Sequence, residues 1–303
     1  MPLTLVEAIA RVPHWAGAED LRATPLSGGI TNCNYRIDIG GEAFVLRIAG
    51  ADTELLGINR EYEYAANLAA GRLGIAPDVY YFIRPEGYLV TRFIAGRLIL
   101  PDEIRRPENI RRVMDTLRKI HNMADIPGTF NAFEIIREYA DIARRYQVAF
   151  PQGYALLNVH LQEAEKTLLA HPDRPCPCHN DLLNGNFITN GQLTILDWEY
   201  AGMGDLFFDL ANFSDHHDLS DEQDRWLLKY YFDEQATPEH WAHLKIMKII
   251  SEVREATWGL VQIGISKLDF DFREYADKFF GRVFDNIQKS QWNEWLKEVS
   301  KNV

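Results

Sequence analysis

The stretch Cys178-His179-Asn180-Asp181-Leu182-Leu183-Asn184-Gly185-Asn186-Phe187-Ile188, followed by Leu193-Thr194-Ile195-Leu196-Asp197-Trp198, decides how the chain is read. Asn190-Gly191, between its two apolar runs, is a hairpin signal because both residues accept the left-handed backbone of a two-residue turn. If these two form the whole loop, residue 189 faces 192 and Asn186 sits opposite Ile195. Side chains alternate between faces along a strand, so Asn186, Ile195 and Asp197 share one face. Asn186 and Asp197 become diagonal neighbours with Cβ atoms about 7 Å apart, spaced for two oxygen ligands of one Mg²⁺. Asp181, in the loop before the hairpin, can reach the same space. A carboxylate free of the metal can take the proton of an attacking hydroxyl. Any one of these residues reads equally as part of a turn-rich loop, but the H-x-D-x-x-x-x-N spacing, the hairpin and the second Asp together point to phosphoryl transfer.

Working outward toward the N-terminus, Thr4-Leu5-Val6-Glu7 has the form of a capping box that starts a helix, and Pro13 ends it. Tyr35-Arg36-Ile37-Asp38-Ile39 alternates apolar and polar residues as a half-buried strand does. Gly40-Gly41 then turns the chain into Phe44-Val45-Leu46-Arg47-Ile48. Residues 59–73 read as a helix stopped by Gly74. Val79-Tyr80-Tyr81-Phe82 and Tyr88-Leu89-Val90-Thr91-Arg92-Phe93 read as two further strands. From about residue 101 the spacing becomes helical. Pro107, Ser220 and Thr237-Pro238 mark helix starts, and helices are expected at 134–148 and 153–170. The expectation is an α+β fold: residues 1–95 as a lobe with a helix, a five-stranded antiparallel sheet, a Gly-rich loop and one more helix, and residues 96–303 as a larger helical lobe.

Composition narrows the partners. The 303 residues include 44 acidic and 32 basic side chains, for a net charge of −12. That balance argues against nucleic acid or an anionic membrane surface, which reward clustered Lys and Arg. No run of about 20 apolar residues spans a membrane. The N-terminus, with Glu7 and Arg11, lacks a signal-peptide pattern, and a cytoplasmic location is expected. The three cysteines, Cys33, Cys176 and Cys178, do not form a secreted disulfide framework. Cys176 and Cys178 with His179 fall short of the four ligands of a structural zinc site. His121 reads as a packed or capping histidine.

Other parts of a phosphoryl-transfer site have candidates. Ser27-Gly28-Gly29-Ile30-Thr31-Asn32 can cover phosphates, since Gly permits close backbone approach and the hydroxyls donate; a plain turn reads the same. Arg47 can contact phosphate or be an exposed strand charge. Glu61 can pair with Arg47 or be a solvated surface residue, and Glu63 is a rival for the pairing.

In this order these parts resemble the choline/ethanolamine kinase family of kinase-like small-molecule phosphotransferases, over about Leu26 to Phe284. The residues that carry the resemblance are Ser27-Gly28-Gly29 with Thr31-Asn32, Val45-Leu46-Arg47, Glu61, Leu73-Gly74, His179-Asn180-Asp181 through Asn186, Leu196-Asp197-Trp198-Glu199-Tyr200, and Trp258-Gly259-Leu260 with Ile265-Ser266 and Tyr275-Ala276. The resemblance implies a protein-kinase-like bilobal fold and transfer of the γ-phosphoryl of ATP, with Mg²⁺, to the hydroxyl of choline or ethanolamine. It implies Asp181 as catalytic base and Asn186 and Asp197 as Mg²⁺ ligands. Arg47 and Glu61 become a phosphate-orienting pair. Residues 91–94, including Thr91 and Phe93, become the hinge that meets adenine. Tyr200, Trp258 and Tyr275 match positions of an aromatic cage, with Asp215 as companion acid and Glu199 ordering the site. The family often shows a second Trp after Trp-Gly-Leu, where this chain has Val261. Two alternatives stay open: a kinase of another small alcohol, such as an aminoglycoside, thiamine or a sugar, and a non-catalytic nucleotide-binding protein on the same fold.

Overall fold

The computed structural model describes residues 3–26, 32–50, 53–170 and 174–302. In chain order, helix α1 (Leu5–Arg11) precedes strands β1 (Arg22–Leu26), β2 (Asn32–Ile39) and β3 (Glu42–Ala49). Helix α2 (Arg60–Arg72) and strands β4 (Val79–Ile83), β5 (Tyr88–Arg92) and β6 (Arg97–Leu98) follow. Helices α3 (Pro101–Ile104), α4 (Pro107–His121), α5 (Ala132–Arg145) and α6 (Tyr154–Leu168) lead to four short strands. These are β7 (Cys176–Cys178), β8 (Phe187–Thr189), β9 (Leu193–Ile195) and β10 (Gly202–Gly204). Helices α7 (Leu206–His216), α8 (Asp221–Tyr231), α9 (Pro238–Ile265), α10 (Phe272–Ile287) and α11 (Ser290–Val299) complete the chain.

Two units divide these elements. The first comprises Met1–Ile99, Ile126–Gly128 and Asn184–Ala201; the second comprises Leu100–Asp125, Thr129–Leu183 and Gly202–Val303. In the first unit the strands form an antiparallel sheet of order β1-β2-β3-β5-β4. Gly40 and Gly41, both left-handed at φ 59° and 78°, make the two-residue turn that pairs Ile39 with Glu42. This is the mirror-image turn that matches strand twist. Ile37, Phe44, Leu46, Ile83 and Val90 pack in one core cluster with Ala8 of α1 and Val12 just after it. Thr4 caps α1 through the expected reciprocal bonds with Glu7, so a local signal places the helix that closes this core. The hairpin β8–β9 belongs to the first unit and pairs with β6. The close approach depends on Gly96: a Cβ there would stand 2.6 Å from Ile188 Cγ2.

The second unit is built around α9, a 28-residue helix. Its residues from Ile249 to Gln262 are buried almost without interruption, the pattern of a helix covered on all sides. Helices α5, α7, α10 and α11 provide the cover. Thr237 caps α9, and Pro238 occupies the first turn, where a missing amide proton costs nothing.

The hairpin register differs from the expected one. Phe187 pairs with Ile195 and Thr189 with Leu193, so the loop holds three residues, 190–192, not two. Asn190 N–H reaches Gln192 O at 3.3 Å, and Gly191 takes φ 105°. The strands also end sooner: Asn186 lies in a 3₁₀ turn, and Asp197 is left-handed at φ 62°. Strand alternation therefore does not place Asn186 and Asp197.

Candidate active site

In the first unit, Arg47 leaves β3 toward two carboxylates. Its Nη1 donates to Asp197 Oδ1 at 3.0 Å, and its Nη2 pairs with Glu63. Glu63 is buried on α2. Glu61, two positions earlier, points elsewhere and forms an exposed pair with Arg84. The expected Arg47–Glu61 pair is thus corrected to Arg47–Glu63. Residues two apart lie on different sides of a helix, so only one of the two can face the sheet.

A second arginine, absent from the sequence-based candidates, joins this network. Arg60 Nη1 donates to Glu63 Oε2 at 2.8 Å and to Glu199 Oε2 at 3.0 Å. Its Nη2 reaches Asn32 Oδ1 at 3.0 Å, and Asn32 Nδ2 donates to Glu199 Oε2 at 2.9 Å. Glu199, implied by the resemblance to order the site, binds Asn32 and Arg60. Asn32, the last residue of the Gly-rich stretch, is thereby tied to the residues that follow the hairpin. Ser27, Gly28, Gly29 and Thr31 lie outside the described residues. Tyr200, buried, follows Glu199 in the same unit.

Asp197 is positioned from behind as well. Leu196 N–H donates to Asn186 O at 2.8 Å, and Trp198 Nε1 donates to Ile195 O at 3.0 Å. Burial, together with neighbouring Glu199, raises the Asp197 pKa to about 6 against the pull of Arg47 and Arg60. Three carboxylates against two guanidinium groups leave this cluster short of positive charge. A dication bound by the oxygens of Asp197 and Asn186 would supply it, and hard oxygen donors are what Mg²⁺ takes. The residues present therefore fit the metal.

At the expected hinge, Thr91 sits on β5 opposite Val45. The backbone amides of Arg92 and Phe93 are already committed: Arg92 N–H donates to Asp78 O at 2.8 Å and Phe93 N–H to Ala43 O at 3.0 Å. Those two amides are therefore held by the fold rather than free to donate to adenine. The Phe93 ring instead carries the Arg36 guanidinium at 4.4 Å.

In the second unit, Asp181 sits in a loop clamped by α7. Asp209 accepts His179 N–H at 2.9 Å and Asn180 N–H at 2.7 Å. Asn212 Oδ1 accepts Leu182 N–H at 2.6 Å, and Asn212 Nδ2 donates to Ser251 Oγ at 3.2 Å. Positions 209 and 212 share one helix face, so a single turn of α7 fixes the backbone on both sides of Asp181. Asn180 is left-handed at φ 66°. Asp181 is buried, and its own N–H turns to His179 Nδ1 at 3.2 Å.

The same unit brings together Trp258 of α9 and Tyr275 of α10, with ring centroids 5.7 Å apart at 67°. Phe272 packs edge-on to Trp258 at 5.9 Å. Gly259 lets the helices meet: a Cβ there would lie 3.1 Å from both Tyr275 and Ala276. The Tyr275 hydroxyl donates to buried Glu255 at 2.7 Å. Burial alone would raise the Glu255 pKa, but Arg254 and His216 hold it well below the carboxylate range. Burial alone would lower that of His216, yet Glu255, Asp215 and Asp181 raise it. Asp215, also buried, is pushed up to about 6 by burial and Glu255 against the pull of His216. The structure thus gathers Trp258, Tyr275 and Asp215 in one charged and aromatic neighbourhood. It adds Glu255 and His216.

Comparison with known proteins gives these units a context. Residues 22–245 match the family described as "Phosphotransferase enzyme family". The chain is 28% identical over 277 residues to Protein LicA of Haemophilus influenzae, covering 86% of this chain and 79% of that protein. It is 27% identical over 304 residues to Ethanolamine kinase 2 of Mus musculus, covering 90% and 77%. The crystal structure of a choline/ethanolamine kinase family protein from Mesorhizobium loti superposes with a TM-score of 0.84, at 31% identity over 97% of each chain.

Proposed function

Given that the chain belongs to the phosphotransferase enzyme family, and within it to the choline/ethanolamine kinases, we propose that it transfers the γ-phosphoryl group of ATP to the hydroxyl of choline or ethanolamine. The observation that carries the acceptor class is the pairing of Trp258 and Tyr275 beside buried Glu255, with buried Asp215 in electrostatic reach of that carboxylate. Aromatic faces attract a quaternary ammonium, which has no hydrogen to donate, and carboxylates compensate its charge. The curated relatives include a mammalian ethanolamine kinase, in keeping with a small cationic alcohol over an aminoglycoside or a sugar.

Asp181 accepts the hydroxyl proton while that oxygen bonds to the γ-phosphorus and the bond to the ADP oxygen breaks. The clamp from Asp209 and Asn212 holds its loop. Arg47, backed by Glu63, orients phosphate oxygens. Asn186 and Asp197 would hold Mg²⁺, which would neutralise phosphate charge. ATP as donor, with three free cysteines, supports a cytoplasmic setting. Among the described residues, no helix is long and apolar enough to cross a membrane.

The test is an acceptor screen with ATP and Mg²⁺, following ADP release and identifying the product by phosphorus NMR. A phosphomonoester forming on choline or ethanolamine is expected. Turnover confined to aminoglycosides, thiamine or sugars, or no turnover on any alcohol, contradicts the assignment.

A further inference from the structure

Cys176 and Cys178 flank Pro177 on β7, so both thiols leave one face of the strand, and their Sγ atoms stand 3.9 Å apart. His121, at the end of α4, comes to them from 55 residues earlier in the chain. One imidazole nitrogen and the two sulfurs lie within 4.8 Å of one another. A tetrahedral zinc ion with Zn–S bonds of about 2.3 Å separates two thiolate sulfurs by about 3.8 Å. The observed spacing therefore suits such an ion without movement of the strand.

The surroundings of His121 match those of a ligating imidazole. Its Nε2 is 3.0 Å from Asp209 Oδ2. Asp209 also accepts two backbone N–H groups, the setting of an ionised carboxylate, which accepts only. The ring proton therefore sits on Nε2 and leaves the Nδ1 lone pair available. That lone pair receives the Tyr231 hydroxyl at 2.6 Å. A carboxylate that fixes the far nitrogen of a histidine is the usual outer partner of a metal site. Cys176 is partly exposed while His121 and Cys178 are buried, so an ion has a way in and, once bound, a largely enclosed seat.

We propose that His121, Cys176 and Cys178 form a binding site for a thiophilic divalent ion, zinc by its donor set, with the Tyr231 hydroxyl beside the fourth position. Binding releases two thiol protons to solvent, and the Tyr231 hydroxyl gives up its bond to Nδ1. Two thiolates and an imidazole select against Mg²⁺, so the site is chemically separate from the oxygen donors Asn186 and Asp197. Asp209 both orients His121 and holds the amides of His179 and Asn180, which links the site to the Asp181 loop through one carboxylate.

Anaerobic titration of reduced, chelator-treated protein with Co²⁺ in the presence of excess Mg²⁺ tests this without reference to kinase activity. We expect equimolar binding, a sulfur-to-cobalt charge-transfer band in the near ultraviolet, and displacement of that band by Zn²⁺. Cys33→Ser retains the band in full. Cys176→Ser loses intensity and weakens zinc by at least about tenfold, the smallest effect seen even for outer partners of such sites. Absence of the band in folded wild-type protein overturns the proposal. So does a band that survives Cys176→Ser or disappears with Cys33→Ser.

Discussion

Arg47 holds Asp197 at 3.0 Å with one terminal nitrogen and buried Glu63 with the other. One guanidinium thus joins a sheet strand, the facing helix and the residue that ends the β8–β9 hairpin. Removing one partner of a buried pair costs about 3–5 kcal/mol, whereas an exposed pair contributes about 0–1 kcal/mol. Glu63→Ala is expected to lower unfolding stability by about 3 kcal/mol and to reduce kcat/KM for ATP at least tenfold. Glu61→Ala, which breaks only the exposed pair with Arg84, is expected to change stability by less than about 0.5 kcal/mol and leave kinetics near wild type. Urea unfolding and steady-state kinetics on both variants decide between the two glutamates.

Asp209 gives a second separation. Its two oxygens each accept an amide of the Asp181 loop. Asn at this position keeps the shape but can accept at only one atom, leaving a buried donor without its partner at a cost of about 1–3 kcal/mol. Asp209→Asn is expected to lower kcat about tenfold or more, with KM for ATP changed little. A rise in KM for ATP at constant kcat would place Asp209 in nucleotide binding instead.

Trp258 is expected to govern the acceptor alone. A desolvated cation over an aromatic face gains about 0.5–2 kcal/mol. Trp258→Ala should therefore raise KM for choline by about tenfold, and Trp258→Phe by less. KM for ATP should stay constant in both. An unchanged choline KM in Trp258→Ala would remove this ring from the acceptor site.

Glu252 sets a pH dependence of stability. Burial and nearby Asp215 raise its pKa from 4.5 to about 8, against Arg282 and Asn286. The folded state therefore keeps the proton that the unfolded state releases above pH 4.5. The stabilising contribution is complete below pH 4.5 and is lost as pH rises toward 8. Glu252→Gln removes that dependence. Relative to wild type, the variant should gain of order a few kcal/mol between pH 4.5 and 8, at about 1.4 kcal/mol per pKa unit. Thermal melts across this range that stay parallel for the two proteins would contradict the burial argument.

Much of the fold could be read in the sequence because its signals are local. Thr4 and Glu7, Gly40 and Gly41, and Thr237 with Pro238 each act within one turn of chain, and each produced the expected element. The alternation of Tyr35, Ile37 and Ile39 likewise marked the face that packs on the core. The site was less legible where it depends on packing. Spacing marks both Glu61 and Glu63 as helical, but which one faces β3 depends on how α2 lies on the sheet. Asn190-Gly191 announced a turn, yet Gln192 joined the loop and moved the register by one. Arg60, His216 and Glu255 carry no motif. Their partners, Glu199 for Arg60, Glu255 for His216 and Tyr275 for Glu255, come from other elements, so only the folded chain shows them together. The amides of Arg92 and Phe93 were taken by Asp78 and Ala43, a bond that depends on strand pairing, which side-chain identity does not report.

Whether Asp181 takes the proton of the acceptor hydroxyl is decided by the choline phosphorylation rate of Asp181→Asn at saturating ATP and Mg²⁺. A kcat at least about 10²-fold below wild type, the scale of a lost general base, is expected, with KM for ATP preserved. Equal rates in the two proteins would contradict it.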